Sequence, residues 1–184
     1  MQDTEVEITY IVNEEFFNNF KQKLLKEAKF IKTQEQFDEY FTPAHTNYID
    51  KEYPNEWLSI RSRGGKTIVN YKNWHKVGGV SCDELEALCE NKDDIRKIFM
   101  AVGMKSLCTV TKHRDIFMMG NFEIALDYLK ELGYFIEIET KGDFETIKEA
   151  EEALYEFARK LNLDGFKQDT KGYPMLIIEN LKKG

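Results

Sequence analysis

Residues 4–12 read TEVEITYIV, and from Glu5 to Tyr10 polar and apolar side chains alternate. That period of two is the signature of a half-buried β-strand. Its polar face carries Glu5 and Glu7 side by side, with Thr9 next in line. Two carboxylates on one pleat repel each other, so they either face open water or share a cation. The answer depends on whether the rest of the chain encloses them.

Working outward, Phe16, Phe20, Leu24 and Ala28 recur at helical spacing and predict an amphipathic helix over 14–29. QFDEYF (36–41), closed by Pro43, predicts a strand. WLSIRSR (57–63) and TIVNYKNW (67–74) flank a GGK turn and predict a hairpin, with Gly64 and Gly65 supplying positive φ. DELEAL (83–88) alternates, and Ile95, Phe99 and Val102 mark a second helix that stops at Gly103. Strands are expected at 107–118, 121–128 and 134–140. Ile147, Ala150, Leu154, Phe157 and Leu161 predict a third helix over 145–162, and MLIIENL (175–181) reads as a last strand. No linker or low-complexity run interrupts the chain, so residues 1–184 are expected to form one α+β domain rich in antiparallel sheet. A short internal likeness points to a duplicated β unit. IRSR, a Gly-Gly turn and ELE run parallel to TKHR, MMGN and EIE.

Composition narrows the function. With 42% hydrophobic and 32% charged residues, the chain can bury a core. A net charge of -7 opposes binding to nucleic acid or an acidic membrane, unless a basic groove lies inside an acidic exterior. The absence of a long apolar run leads us to expect no signal peptide and a cytoplasmic protein. Cys82, Cys89 and Cys108 are odd in number and lack zinc spacing, and His45, His75 and His113 are scattered. Reduced thiols, rather than a Cys/His metal site, are expected.

The charges then sort by strand face. Glu5 with Glu7, Arg61 with Arg63, Glu84 with Glu86, Lys112 with Arg114, and Glu137 with Glu139 each share one face. Lys72 lies with Asn70, and Asp127 with Glu123. Apolar residues, among them Val6, Ile8, Ile60, Leu85, Ile124 and Ile138, occupy the other face. For any single strand a solvated outer face is the ordinary reading. As a set the pairs are unusual, because ordinary surfaces mix both signs along a strand. If the sheet closes and helices cover its apolar side, the charged side becomes a lumen. Crowded carboxylates there call for a hard cation, Mg²⁺ or Mn²⁺, and arginine pairs offer forks for phosphate oxygens. A carrier of an apolar ligand would need the opposite polarity. GGK is too short for a phosphate loop. Trp57, Tyr71 and Trp74 suit either core and rim packing or stacking on a base.

These residues resemble the CYTH family of triphosphate tunnel enzymes. EVEIT, YFTP (40–43), LSIRSR with VNYK, DELE, TVTKHR, IALD and FIEIE occur in that family's order, from Glu5 to about Tyr173. VNYKNW, CDELEAL and GNFEIALDYLKELGYFIEIE look most like the class IV adenylyl cyclase branch. The resemblance implies a closed eight-stranded antiparallel β-barrel with helices outside and the charged side inward. It implies metal ligands at Glu5, Glu7, Glu137 and Glu139, and triphosphate contacts at Arg61, Arg63, Lys72, Lys112, Arg114 and Lys171. It places catalysis on Asp127, Lys112 and Arg114, with Glu84 and Glu86 as further tunnel acids. The implied partner is a small triphosphate (ATP, tripolyphosphate or thiamine triphosphate), with a homodimer left open. One residue departs from the pattern: Thr9 stands where the family's ExExK motif has lysine. Three functions follow in order: a cyclase making cyclic AMP, a triphosphatase, and a nucleotide or polyphosphate binder without catalysis.

Overall fold

The computed structural model describes residues 4–182. In chain order the elements are β1 (Thr4–Val12), α1 (Glu14–Glu27), β2 (Lys29–Thr42), β3 (Glu56–Arg63), β4 (Lys66–Trp74) and β5 (Ser81–Cys89). There follow α2 (Lys92–Ala101), β6 (Lys105–Met119), β7 (Phe122–Leu129), β8 (Gly133–Thr140), α3 (Ile147–Lys160), β9 (Lys167–Asp169) and α4 (Tyr173–Leu181). The strands pair in the order β5-β4-β3-β2-β6-β7-β8-β1, and β1 returns to β5 by pairing Thr4–Val6 with Ser81–Asp83. Eight antiparallel strands thus close into a barrel, as expected, and closure removes the exposed sheet edges. Past that seam, Thr9–Ile11 on the same edge of β1 pair with the short strand β9.

The weak internal likeness corresponds to two meanders, β3-β4-β5 and β6-β7-β8. β2 joins their first strands, and β1 joins their last. IRSR and TKHR lie on those first strands, and the acidic pairs on the last. Gly64 (φ 55) and Gly65 (φ 78) take the left-handed backbone that the tight β3–β4 turn requires.

Helices cover the outside unevenly. Asn13 caps α1 by accepting from Phe16 N–H at 2.8 Å, and Thr146 caps α3 by accepting from Glu149 N–H at 3.1 Å. Phe17, Phe20 and Leu24 of α1 and Ala150, Leu154 and Ala158 of α3 pack on Val6, Ile8, Ile124, Leu126, Ile136 and Ile138. Each large side chain buried there stabilises the fold by about 1.5–3 kcal/mol. On the opposite wall, among the described residues, α2 is the helix that lies outside, against β3. Its Phe99 meets Phe41 edge-on at 5.3 Å, yet no residue of α2 is fully buried. Leu85, expected beneath a helix, is 53% exposed.

Residues 175–181 are helical rather than a strand. Gly172 (φ 81) turns the chain, Pro174 sits in the first helical turn, and the buried pairs Tyr173/Ile177 and Pro174/Ile178 are four apart. The contiguous apolar run Met175–Ile178 is too short to carry a periodicity that separates strand from helix. This helix packs with Tyr40, Trp57, Val110, Leu129 and Phe135 into a second apolar cluster. No helix among the described residues is long and apolar enough to cross a membrane.

Candidate active site

The strand registers turn the charged faces inward. Glu7 stands opposite Glu139, Thr9 opposite Glu137, Lys72 opposite Glu84, and Arg114 opposite Asp127. The lumen holds a wide cavity of about 580 Å³ and a narrower one of about 100 Å³. Glu7, Arg61, Arg63, Lys72, Lys112 and Glu137 line both, so these six form the waist between them.

Glu5 and Glu7 do share a cation, and it comes from the protein. Lys72 Nζ donates to Glu5 Oε2 at 2.8 Å and to Glu7 Oε1 at 2.9 Å, with Glu84 at 3.7 Å. Burial opposes the Lys72 charge, but Glu7, Glu5 and Glu84 outweigh it and hold the ammonium protonated. One cation does not neutralise the whole cluster. Burial raises the Glu5 carboxyl to about 9, helped by a hydrogen bond with Glu84 and by the charges of Glu7 and Glu139. Burial and then Glu7 raise Glu139 to about 7, despite its hydrogen bond from Lys141. Glu84 goes the other way: Lys72, the hydrogen bond with Glu5 and Arg61 overcome its burial and hold it well below the usual carboxylate range.

Across the waist the basic residues are individually anchored. Arg61 Nη1 meets Glu84 at 3.0 Å and Glu86 at 3.2 Å, and Asn70 donates to the same two carboxylates. Arg63 reaches Asp38 at 3.4 Å. Asp127, fully buried, accepts from Arg114 Nε at 2.6 Å, Arg114 Nη2 at 2.5 Å, Lys112 Nζ at 3.1 Å and the Tyr173 hydroxyl at 2.8 Å. Glu137 joins this group through Arg114 at 2.9 Å and is held well below its ordinary value, because Arg114 and Lys112 outweigh its burial. Burial and the Arg114 charge lower Lys112 to about 8, against the pull of Asp127.

The expected site residues therefore fall into three groups. Glu5, Glu7 and Glu139 form an acidic cluster, and Arg61 and Arg63 with Glu84 and Glu86 line one wall. Lys112 and Arg114 are locked on Asp127 and Glu137 on the other. Lys171 lies apart, at the narrow cavity, where it bonds Glu179 at 2.6 Å over the ring of Tyr53. Trp57 and Trp74 also line that cavity, whereas Tyr71 turns outward to Glu56 at 2.7 Å. Gln36, Asp38 and Tyr173 were not foreseen. The period of two in QFDEYF points to Gln36 and Asp38; Tyr173 lies just before the 175–181 segment, in GYP, where no period marks an inward face.

All three cysteines are free. Among the described residues the one group of three ligating side chains is Glu5, Glu7 and Cys82, whose donor atoms lie within 4.8 Å of one another. Burial pushes the Cys82 thiol up, so it stays neutral and gives a hard cation little. The carboxylates of Glu5 and Glu139, raised by burial and by their acidic neighbours to about 9 and about 7, stand with Glu7 as hard oxygen donors that fit Mg²⁺ or Mn²⁺.

The chain is similar in sequence and in fold to known proteins. The CYTH domain family matches residues 3–173. The Methanocaldococcus jannaschii protein named "Putative adenylate cyclase MJ0240" is 32% identical over 140 residues, 73% of this chain and 77% of that protein. The structure of the PH1819 protein from Pyrococcus horikoshii superposes with a TM-score of 0.79 at 24% identity, covering 95% of this chain and 98% of that one. HpAC1 from Hippeastrum, a "putative adenylyl cyclase" described as having a dominant triphosphatase activity, shares the fold with a TM-score of 0.62 at 13% identity, over 96% and 95% of the two chains. With its inward charges, closed barrel and match over nearly its whole length, this chain belongs to the CYTH domain family.

Proposed function

We propose that the protein is a metal-dependent enzyme acting on a nucleoside triphosphate, converting ATP to cyclic AMP and pyrophosphate as class IV adenylyl cyclases do. The observation that carries this reading is the division of one lumen into an acidic cluster and two basic walls. Glu5, Glu7 and Glu139 would hold Mg²⁺ or Mn²⁺, which supplies charge neutralisation to phosphate oxygens when bound. Arg61, Arg63 and Lys112 line the waist and grip the triphosphate, with Arg114 behind them. Asp127 keeps Arg114 and Lys112 in place, so its role is positioning rather than contact with the substrate. Lys72 supports the site from the acidic side by bonding Glu5 and Glu7, and it lines the narrow cavity together with Thr9, which stands in the place of the motif lysine. In cyclisation the ribose 3′ oxygen bonds to the α-phosphorus, its proton leaves, and the α–β phosphoanhydride bond breaks to release pyrophosphate. Positioning and charge compensation supply most of the rate in such transfers.

A second reading keeps the site and makes water the nucleophile. The dominant triphosphatase activity described for HpAC1, a protein of the same fold, favours it; Thr9 in place of the motif lysine opposes it. Purified protein with Mg²⁺ or Mn²⁺ is offered ATP, tripolyphosphate and thiamine triphosphate in parallel. Cyclic AMP with pyrophosphate supports the cyclase. Phosphate release without cyclic AMP gives the triphosphatase, and tight binding without turnover gives a binding protein.

A further inference from the structure

Among the described residues, buried side-chain atoms without a hydrogen-bond partner gather on one wall of the lumen; the exception is Asn47 Oδ1, in the loop after β2. Both amide atoms of Gln36, Oδ1 of Asp38, Oγ of Ser59 and Nε of Arg61 and Arg63 are buried without a hydrogen-bond partner. All five residues lie on the inward faces of β2 and β3. Among the described residues, no such atom lies on the β6-β7-β8 wall, where Asp127 and Glu137 absorb the donors.

Gln36 is the extreme case, because its donor and its acceptor are both unpaired and it is 1% exposed. It stands opposite Arg63 on β3 and opposite Lys112 on β6, in the seam between the two basic strands, and it lines the wide cavity. A buried amide with neither end paired destabilises a fold and calls for an explanation. We propose that Gln36 is a phosphate-contacting residue, which rests on the reading of the lumen as a triphosphate site. Its Nε2–H donates to an oxygen of the anion gripped between Arg63 and Lys112, and its Oε1 accepts from the unpaired Nε–H of Arg63. The amide atoms are covered at present, so contact follows a shift of a neighbour. Arg63, 22% exposed and tied to Asp38 over 3.4 Å, is the loosest of the waist arginines. A neutral amide adds a donor here without adding a third positive charge to the seam.

The test pairs two readouts on Gln36→Met, which keeps the side-chain length and removes both hydrogen-bonding ends. Binding of inorganic tripolyphosphate with Mg²⁺ is measured by calorimetry, and thermal unfolding is followed without either ligand. The proposal expects binding weaker by roughly tenfold, the worth of one hydrogen bond, with an unfolding temperature equal to or above that of the wild type. Gln36→Glu is expected to bind more weakly still, since it adds a negative charge. Wild-type affinity in Gln36→Met would overturn the role of Gln36 and leave the proposed function standing. Weaker binding together with a lower unfolding temperature would make Gln36 structural and also overturn it. A wild-type protein that binds no tripolyphosphate would remove the triphosphate reading and this proposal together.

Discussion

Lys72 donates to Glu5 at 2.8 Å across the β1–β5 closure of the barrel, so the ammonium serves as both seam and counter-ion. Its side chain is 13% exposed, and no other cation contacts Glu5 or Glu7 within 4 Å among the described residues. Removing one partner of a buried pair costs about 3–5 kcal/mol, and the residual exposure puts Lys72→Met at the lower end. Metal-free Lys72→Met should unfold at a lower temperature than the wild type, and Mn²⁺ should restore more of the loss than Na⁺ at equal ionic strength. Equal rescue by Na⁺ would indicate simple screening.

The acidic cluster sets a pH dependence. Glu139 is raised to about 7 and Glu5 to about 9, both chiefly by burial. The folded protein thus holds protons that the unfolded chain has lost above about 4.5. This contribution to stability is complete below that value and is lost as pH rises through 7 and on through 9. Lys112, lowered to about 8, acts in the opposite direction only above that pH. Between about pH 5 and 8, metal-free unfolding temperatures should therefore fall, and the stabilisation by Mn²⁺ should grow as the metal displaces those protons. A flat profile for both would remove Glu5 and Glu139 from the metal site.

Asp127 predicts a different signature. Asp127→Asn leaves Arg114 and Lys112 buried with Glu137 as their remaining acid. Stability should drop by about 3 kcal/mol or more, read as a lower urea midpoint. Tyr173→Phe removes one hydrogen bond to the same carboxylate and should cost about 1.5–3 kcal/mol. Any remaining turnover in Tyr173→Phe should keep the wild-type metal requirement, since Tyr173 does not touch the acidic cluster.

Much of this was legible in the sequence because a strand's period of two fixes which side chains share a face. TEVEITYIV, IRSR, TKHR and IEIE gave the polarity of the lumen, and Gly64 and Gly65 gave the hairpin. The partners were not legible. Lys72 meets Glu5 because residues 4–6 pair with 81–83, and Tyr173 meets Asp127 from 46 residues away, contacts set by closure and by a terminal helix. β9 has three residues, too few to show a pattern. The uneven helical cover followed from α2, whose apolar spacing looked like that of the other helices although none of its residues is fully buried.

Arg63 separates a gripping residue from a solvated one. Arg63→Ala should weaken tripolyphosphate binding by about tenfold or more, as expected for a charge-assisted contact. Truncating Lys148, on the outside of α3, should change it little.

The central claim is that the enclosed charges receive a metal-bound triphosphate. A crystal structure of the protein soaked with a non-hydrolysable ATP analogue and Mn²⁺ tests it most directly. The triphosphate is predicted in the waist against Arg61, Arg63 and Lys112, with anomalous density for Mn²⁺ beside Glu5, Glu7 and Glu139. Analogue and metal found only on the outer surface, at concentrations well above the measured Kd, would contradict it.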